Sequence, residues 1–229
     1  MLLQHFVKPF GFYLYINNLL KIFFMNNNKI FHYTLKQLIL YGVHLGHNKK
    51  KRAPLINNFL LGHRNNIDIF NLNQTIITLN KIIPIITTTI QNNGKILIIA
   101  ENAKFLPLIN QFALNFKQPI YTSPWTLGIL TNFKNLKNNN SQNTNINLLN
   151  RLPDLIIIVN STHPNYILNE AKTLEIPTIL FNDSNINPKN CTYSIPSNDD
   201  SLDTLNLYLN IIKKAISYGF ASQILKFKS

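Results

Sequence analysis

The chain contains one cysteine, Cys191, among its 229 residues. A single cysteine excludes an intrachain disulfide and any cysteine-based zinc cluster. Glycine is also scarce, at seven residues, and neither a G-x-G-x-x-G loop after a strand nor a G-x-x-x-x-G-K-[ST] loop occurs. Because these loops use glycine to bring the backbone close to phosphate, their lack argues against a nucleotide-binding enzyme.

A complete catalytic constellation is lacking too. Ser161, His163 and Asp183 are residue types of a hydrolytic triad, but no nucleophile elbow surrounds the serine. His163 is better explained as the cap of a helix that begins at Pro164. We therefore expect no enzymatic activity and no cofactor. The alternative is an α/β nucleotide- or small-molecule-binding enzyme, because such sheets commonly bind nucleotides at their switch point.

Acidic residues are missing from the first 67 positions, which carry nine lysines and arginines, whereas residues 154–203 carry seven of the nine acids. The net charge is +13. This imbalance predicts a nucleic acid or an anionic membrane as the partner of the N-terminal half, with the acidic block facing away. Only three of the 22 cations are arginines, which favours diffuse phosphate neutralisation over base reading.

A hydrophobic run long enough to span a membrane is also lacking. The apolar stretch from Phe10 to Leu20 is too short and is interrupted by Asn17 and Asn18. It has no acids, but it also lacks the arginines of a mitochondrial presequence. We interpret residues 1–30 as an extension that is ordered only in an assembly, packed on a neighbour or against RNA, and we expect no membrane partner.

What the sequence does contain begins with a basic segment after a short helix. The helix ends at Gly42, Gly46 follows, and four cations come next. Glycine lets the chain turn sharply, and adjacent cations are accommodated only in solvent or against an anion. We predict that phosphate is bound by Lys49, Lys50, Lys51 and Arg52, that Gly42 and Gly46 shape the loop, and that secondary contacts come from His47, His63 and Arg64.

Two histidines in this segment have a spacing that could seat a metal. His44 and His47 form a His-x-x-His pattern that Asp199, Asp200 or Asp203 would complete if the fold joined the two ends of the chain. Two histidines without a third ligand nearby in sequence are a weak pattern. We therefore predict ordinary turn histidines and no metal.

The body of the chain alternates short apolar runs with helical patterns. Apolar runs predict strands over residues 67–70, 96–99, 119–121, 155–159 and 178–181. Helices are predicted over 73–90, between the second and third of these strands, from Pro164 and after Ser201. Pro84 inside the first of these helices predicts a kink. The order predicts an α/β fold, an open and mostly parallel sheet with helices on both faces, Rossmann- or flavodoxin-like. We expect a single domain over 31–229.

Two blocks of sequence carry a resemblance to a known family. Residues 38–47, followed by 62–67, resemble the N-terminal signature of the S-two family of small-subunit ribosomal proteins. The C-terminal half is similar in order and spacing through 152–159, 163, 170–171, 176–177, 182–185 and 195–200. The resemblance covers residues 34 to about 217. It implies an α/β fold and a structural role in the small subunit, binding rRNA and neighbouring ribosomal proteins between head and body.

The chain departs from that family at one place. Bacterial-type members continue after residues 131–134 into a long projecting helical hairpin, whereas here only an Asn-rich loop over 135–151 precedes Leu152, so the hairpin is predicted to be lost. The segment 123–128 also lacks one basic residue and one glycine of the family pattern, which puts an RNA contact there in doubt.

The amino-acid usage indicates an A/T-rich gene. Asn, Ile, Lys and Phe are abundant, whereas Gly, Ala and Arg are scarce, and the preferred residues share A/T-rich codons. An organellar gene, or a nuclear gene of an A/T-rich organism, explains this usage. We predict a mitochondrial small-subunit protein that does not form a homo-oligomer, with a plastid location as the alternative.

Overall fold

The computed structural model describes residues 33–116, 118–133 and 151–226. The chain forms two compact units, Met1–Thr34 and Leu35–Ser229, and the architecture below is that of the second. The predicted extension over 1–30 and residues 135–150 of the predicted short loop lie outside the described residues. The domain limits at 30 and 31 therefore stay a prediction.

The unit begins with a short helix and a small antiparallel sheet. Helix α1 (Leu35–Leu40) precedes β1 (Leu45–Asn48), β2 (Leu60–Arg64) and β3 (Ile67–Phe70), which pair in the order β1-β3-β2. Asn65 and Asn66 join β2 to β3 and have φ angles of 50° and 62°, as type I′ hairpins require. The predicted strand over 67–70 is confirmed, but it belongs to this sheet rather than to the parallel one.

The basic segment is more regular than the predicted loop. Strand β1 covers its first part, and Lys49–Lys51 form a 3-10 turn. A second 3-10 helix, Pro54–Phe59, leads into β2. The strands were missed because β1 and β2 are half-exposed and interrupted by Gly46 and Gly62, so they lack an apolar pattern.

Helix α2 (Leu72–Gln91) follows β3 and continues through Pro84 as one helix. Pro84 is exposed, and its carbonyl accepts hydrogen bonds from the hydroxyls of Thr87 and Thr88 at 2.8 and 2.9 Å. Five apolar residues of this helix have the spacing that predicts one buried face, and this prediction is largely confirmed. Ile76 is half-buried, and the other four are buried: Leu79, Ile83, Ile86 and Ile90.

A parallel sheet follows, as predicted, and it has five strands. Its strands are β4 (Ile96–Ala100), β5 (Ile120–Tyr121), β6 (Leu155–Asn160), β7 (Thr178–Asn182) and β8 (Tyr193–Pro196). They lie in the order β5-β4-β6-β7-β8, and every pair is parallel. All residues of β4, β6 and β7 are buried, which explains their continuous apolar sequences. Strand β8 was not predicted from the sequence.

Helices flank both faces of this sheet. The remaining helices are α3 (Leu106–Phe116), α4 (Pro164–Thr173) and α5 (Leu202–Lys226). On one face, α4 and the segment 125–133 share a buried cluster with alternate residues of the central strands. Helix α2 contacts β4 and β8 and packs along α5, which also contacts α3, so these helices cover the other face. The helices described here are each too short or too polar to cross a lipid bilayer.

Candidate nucleic-acid interface

Three lysines project from the tight turn after β1. The side chain of Asn48 caps this turn by accepting from the amide of Lys50 at 3.1 Å, and the amide of Lys49 donates to the carbonyl of Asn66 at 2.8 Å. The turn is thereby fixed beside the tip of the β2–β3 hairpin. The three side chains of the turn are exposed to solvent: Lys49, Lys50 and Lys51.

Two further predicted contacts lie at the same end of the antiparallel sheet. Ile67 of β3 pairs with Asn48 on one side and with Arg64 on the other. His63 and Arg64 are exposed, like the lysines. We call this surface the cationic edge, and it consists of Lys49, Lys50, Lys51, His63 and Arg64.

Arg52 differs from the lysines that precede it. Its Nε donates to Oδ2 of Asp68 at 2.9 Å, its Nη2 donates to Oδ1 of the same carboxylate, and Nη1 reaches Asn57 at 3.3 Å. Asp68 is fully buried, and this bidentate ion pair supplies its counter-charge. The guanidinium of Arg52 thus holds β3 to the basic segment, and its predicted phosphate contact stays a prediction.

The two glycines of the segment shape it by packing against the parallel sheet. Gly42 has a φ of +71°, and its carbonyl accepts from Nδ2 of Asn198 at 3.1 Å. A side-chain carbon at Gly46 would lie 2.9 Å from Oγ of Ser184 and 3.3 Å from Cβ of Asp68. Both positions therefore let β1 approach residues beyond the ends of β7 and β8.

His47 lies among carboxylates. Its Nδ1 is 3.0 Å from Asp183 and its Nε2 is 3.3 Å from Asp200, while its amide donates to Ser184 at 2.8 Å. The hydrogen bond to Asp183 raises the pKa of His47, against the opposing effect of burial. The prediction that the acidic block faces away from the basic half is therefore wrong, since Asp183 and Asp200 contact His47 directly.

A fourth group completes this cluster. Asp199 is buried, and burial together with the charges of Asp183 and Asp200 raises its pKa to about 8. Ligand atoms of His47, Asp183, Asp199 and Asp200 all lie within 4.8 Å of one another. An imidazole nitrogen with carboxylate oxygens suits a divalent cation, so these residues could hold one.

The metal-ligand set that was considered from the sequence, and not favoured, is found only in part. His47, Asp199 and Asp200 come together, but the fourth member is Asp183 rather than His44 or Asp203. Burial lowers the pKa of His44, and its buried Nδ1 has no hydrogen-bond partner among the described residues. The link between Asp183 and His47 was missed because no local spacing indicates it. Asp68 could have been suspected, since it is the first acid of the chain and follows a basic segment.

The usual ligand site of such a sheet is filled by the protein itself. The strand order reverses between β4 and β6, and α/β proteins bind ligands beyond the strand ends at that point. There the buried Glu101 accepts from the hydroxyls of Ser161 and Thr162, both at 2.9 Å, and from the amide of Thr162 at 3.0 Å. Its carboxylate would repel phosphate.

The residues of the suspected triad are also not arranged for catalysis. Ser161 donates to Glu101, Asp183 contacts His47, and the ring of His163 lies against Tyr166. His163 does occupy the N-cap position of α4, as predicted, but its side chain makes no capping hydrogen bond.

The parallel sheet flanked by helices places the chain in the α/β class with a Rossmann-like fold, and its switch point is occupied by protein side chains. The chain belongs to the ribosomal protein S2 family, whose model matches residues 38–147 and 137–219. The family assignment made from the sequence is confirmed, and the chain is not an enzyme.

Curated relatives agree with this assignment. The chain is similar to the small ribosomal subunit protein uS2 of Bartonella quintana (strain Toulouse), with 30% identity over 224 residues, 83% of this chain and 87% of the relative. It is also similar to the small ribosomal subunit protein uS2 of Agrobacterium fabrum (strain C58 / ATCC 33970), with 28% identity, 83% of this chain and 88% of the relative.

Proposed function

We propose that this protein is a structural constituent of the mitochondrial small ribosomal subunit, where its cationic edge binds rRNA phosphate and other surfaces contact neighbouring ribosomal proteins. Membership of the ribosomal protein S2 family supports the ribosomal role. The observation that carries the RNA contact is the set of exposed cations at one end of the antiparallel sheet: Lys49, Lys50, Lys51, His63 and Arg64. Lysine and arginine at such a surface release condensed counterions when they neutralise phosphate.

The carboxylates near the cationic edge do not cancel its positive charge. Asp68 is neutralised by Arg52, and Asp183 by its contact with His47. Asp200 is the exposed member of the group, and it faces the imidazole of His47 rather than a lysine of the turn. The lysine side chains therefore have no carboxylate partner in the described part of the chain, and an RNA backbone can approach them.

The mitochondrial assignment is supported by amino-acid usage. Residues encoded by A/T-rich codons dominate the chain, as in many organellar genes. The short sequence between residues 134 and 152 supports it as well, because it leaves little room for the hairpin of bacterial-type members. Fractionation of cells that carry a tagged chain tests the assignment: co-purification with mitochondrial ribosomes supports it, and recovery with plastid or cytosolic ribosomes contradicts it.

Charge removal at the turn tests the RNA contact. We expect the triple substitution Lys49→Gln, Lys50→Gln, Lys51→Gln to leave the fold intact but to weaken incorporation into the small subunit. If all three lysines touch phosphate, the log–log salt slope of rRNA binding should fall by about 2–3. Sucrose-gradient sedimentation measures incorporation, and filter binding at several salt concentrations measures the slope.

Three exposed lysines elsewhere supply a matched control. Substitution of Lys81, Lys95 and Lys104 by Gln removes the same net charge from positions outside the cationic edge. The control should keep the wild-type slope and incorporation. Equal losses in both variants would show that only overall charge matters, and unchanged binding by the turn variant would contradict the site.

A further inference from the structure

A groove lies beyond the ends of β6 and β7, beside the basic segment. Its volume is about 470 Å³, and its lining includes Pro54, His163, Asn165, Tyr166, Asn185 and Asn187. This volume falls within the range of about 300–1,000 Å³ found for small-ligand sites. Thr162 also lines the groove and hydrogen-bonds to the buried Glu101, so the groove lies next to the self-filled switch point.

The lining offers rings and amides but no charge. Tyr166 is 43% exposed, and its ring lies 5.4 Å from that of His163 at an interplanar angle of 40°. Asn165 and Asn185 are exposed as well. Exposed aromatic faces stack on bases of any sequence, and carboxamides can both donate to and accept from base edges.

The lysine turn lies close to one end of the groove. Pro54 lies three residues after Lys51, so the groove is within about 11 Å of the turn along the chain. On the other side, Nδ2 of Asn185 is 3.4 Å from Nε2 of His47, whose carboxylate partners oppose phosphate. A nucleotide can therefore place its base in the neutral groove while its backbone follows the lysines.

We propose that this groove holds the base of an unpaired nucleotide, stacked on Tyr166, from the RNA whose phosphates the cationic edge binds. This inference rests on the proposed rRNA-binding function and adds a specific form of RNA to it. Paired bases are already stacked within their helix, whereas an unpaired base can leave its strand and stack on an aromatic side chain. The groove therefore selects single-stranded over duplex RNA.

Fluorescence anisotropy with the full chain tests the groove. The probes are a labelled single-stranded RNA of mixed sequence and a labelled RNA duplex of the same sequence. We expect Tyr166→Ala to lower affinity for the single strand by about five- to a hundredfold and to leave duplex affinity and the salt slope unchanged. Tyr166→Phe keeps the ring and should bind like wild type. Tyr41→Ala, at another exposed aromatic residue, should also bind like wild type.

The outcomes separate this inference from the proposed function. Wild-type single-strand affinity in Tyr166→Ala, with weakened binding in the triple lysine variant, overturns the groove alone. Equal losses for single strand and duplex overturn it too.

If wild-type protein binds neither RNA and sediments free of ribosomes, the proposed function itself fails. If Tyr166→Ala binds RNA normally but loses a cross-link to a neighbouring ribosomal protein, the groove is a protein contact and the proposal is wrong. Thermal unfolding of each variant confirms that the fold is retained.

Discussion

Neighbouring residues of the same charge have different roles in this protein. Lys51 and Arg52 are adjacent, yet the lysine is exposed and the arginine is bonded to a buried carboxylate. The guanidinium group suits this place because it donates two parallel hydrogen bonds to one carboxylate, which an ammonium group cannot do in the same geometry. The identity of the residue therefore matters more here than its charge.

Substitution at these two positions should separate binding from stability. We expect Arg52→Gln to lower the free energy of unfolding by about 3 kcal/mol, because it leaves Asp68 buried without a counter-charge. Lys51→Gln should change it by less than about 0.5 kcal/mol. Urea denaturation measures both. The double variant Arg52→Gln with Asp68→Asn should recover part of the loss, and wild-type stability in Arg52→Gln alone would rule out the ion pair as a structural tie.

At the scale of elements, one side chain of helix α4 fixes the irregular segment 125–133. Glu170 of α4 accepts from Nε1 of Trp125 at 3.1 Å and from the amides of Gly128 and Leu130 at 2.8 and 2.9 Å. This carboxylate is buried, and these N–H groups stabilise it in place of a cation. The segment 125–133 is thereby held in the core on one face of the sheet.

Replacing this carboxylate by an amide should release the segment. In Glu170→Gln one acceptor oxygen becomes an NH₂ group that faces N–H donors, so we expect a loss of about 2 kcal/mol in unfolding free energy. The emission of Trp125, the only tryptophan, should shift to longer wavelength as the indole meets water. Glu175→Gln removes the same charge at an exposed position and should change neither quantity. Equal unfolding free energies and equal Trp125 emission in the two variants would show that Glu170 does not fix the segment 125–133.

Element prediction succeeded where the periodic signal was strong. The buried parallel strands and the long helices follow from continuous apolar runs and from helical spacing, and both are local properties. The antiparallel sheet did not follow from the sequence. Its edge strands are short and half-exposed, so their pairing with β3, rather than their own pattern, decides that they form.

Over the whole molecule, the basic and acidic blocks of the sequence meet. His47 from the basic half is surrounded by Asp183, Asp199 and Asp200 from the acidic one. Part of the negative charge of the acidic block is thus paired with His47 inside the fold, and the lysine turn stays exposed. Charge blocks along the sequence do not indicate these ion pairs, because the pairs join residues that are distant in sequence.

This cluster should make stability depend on pH. The pKa of His47 is raised from 6.5, so its contribution is complete below that value and is lost as pH rises through its folded-state pKa. Asp199 has a folded pKa of about 8 against 3.8 unfolded, so the folded state retains a proton that the unfolded state releases. Both effects lower the free energy of unfolding as pH rises from about 6 to about 8.

Urea denaturation across this pH range, with a chelator present to exclude divalent cations, measures the effect. Asp199→Asn has no proton to lose and should flatten the dependence, whereas the exposed Asp203→Asn should keep it. A free energy of unfolding that stays constant or rises with pH in the wild-type protein would contradict the assignment of these groups.

The sequence by itself determined the α/β class, the buried strands, the family and the cationic character of the N-terminal half. These rest on periodicity, composition and ordered motifs, which are present before the chain folds. Only the tertiary structure decided which cations stay free. His47 meets Asp183 because β1 packs at the ends of the parallel strands, and Gly46 allows that approach. Arg52 meets Asp68 because β1, just before it, pairs with β3. Ion pairs between distant residues depend on such packing, and no local pattern encodes it.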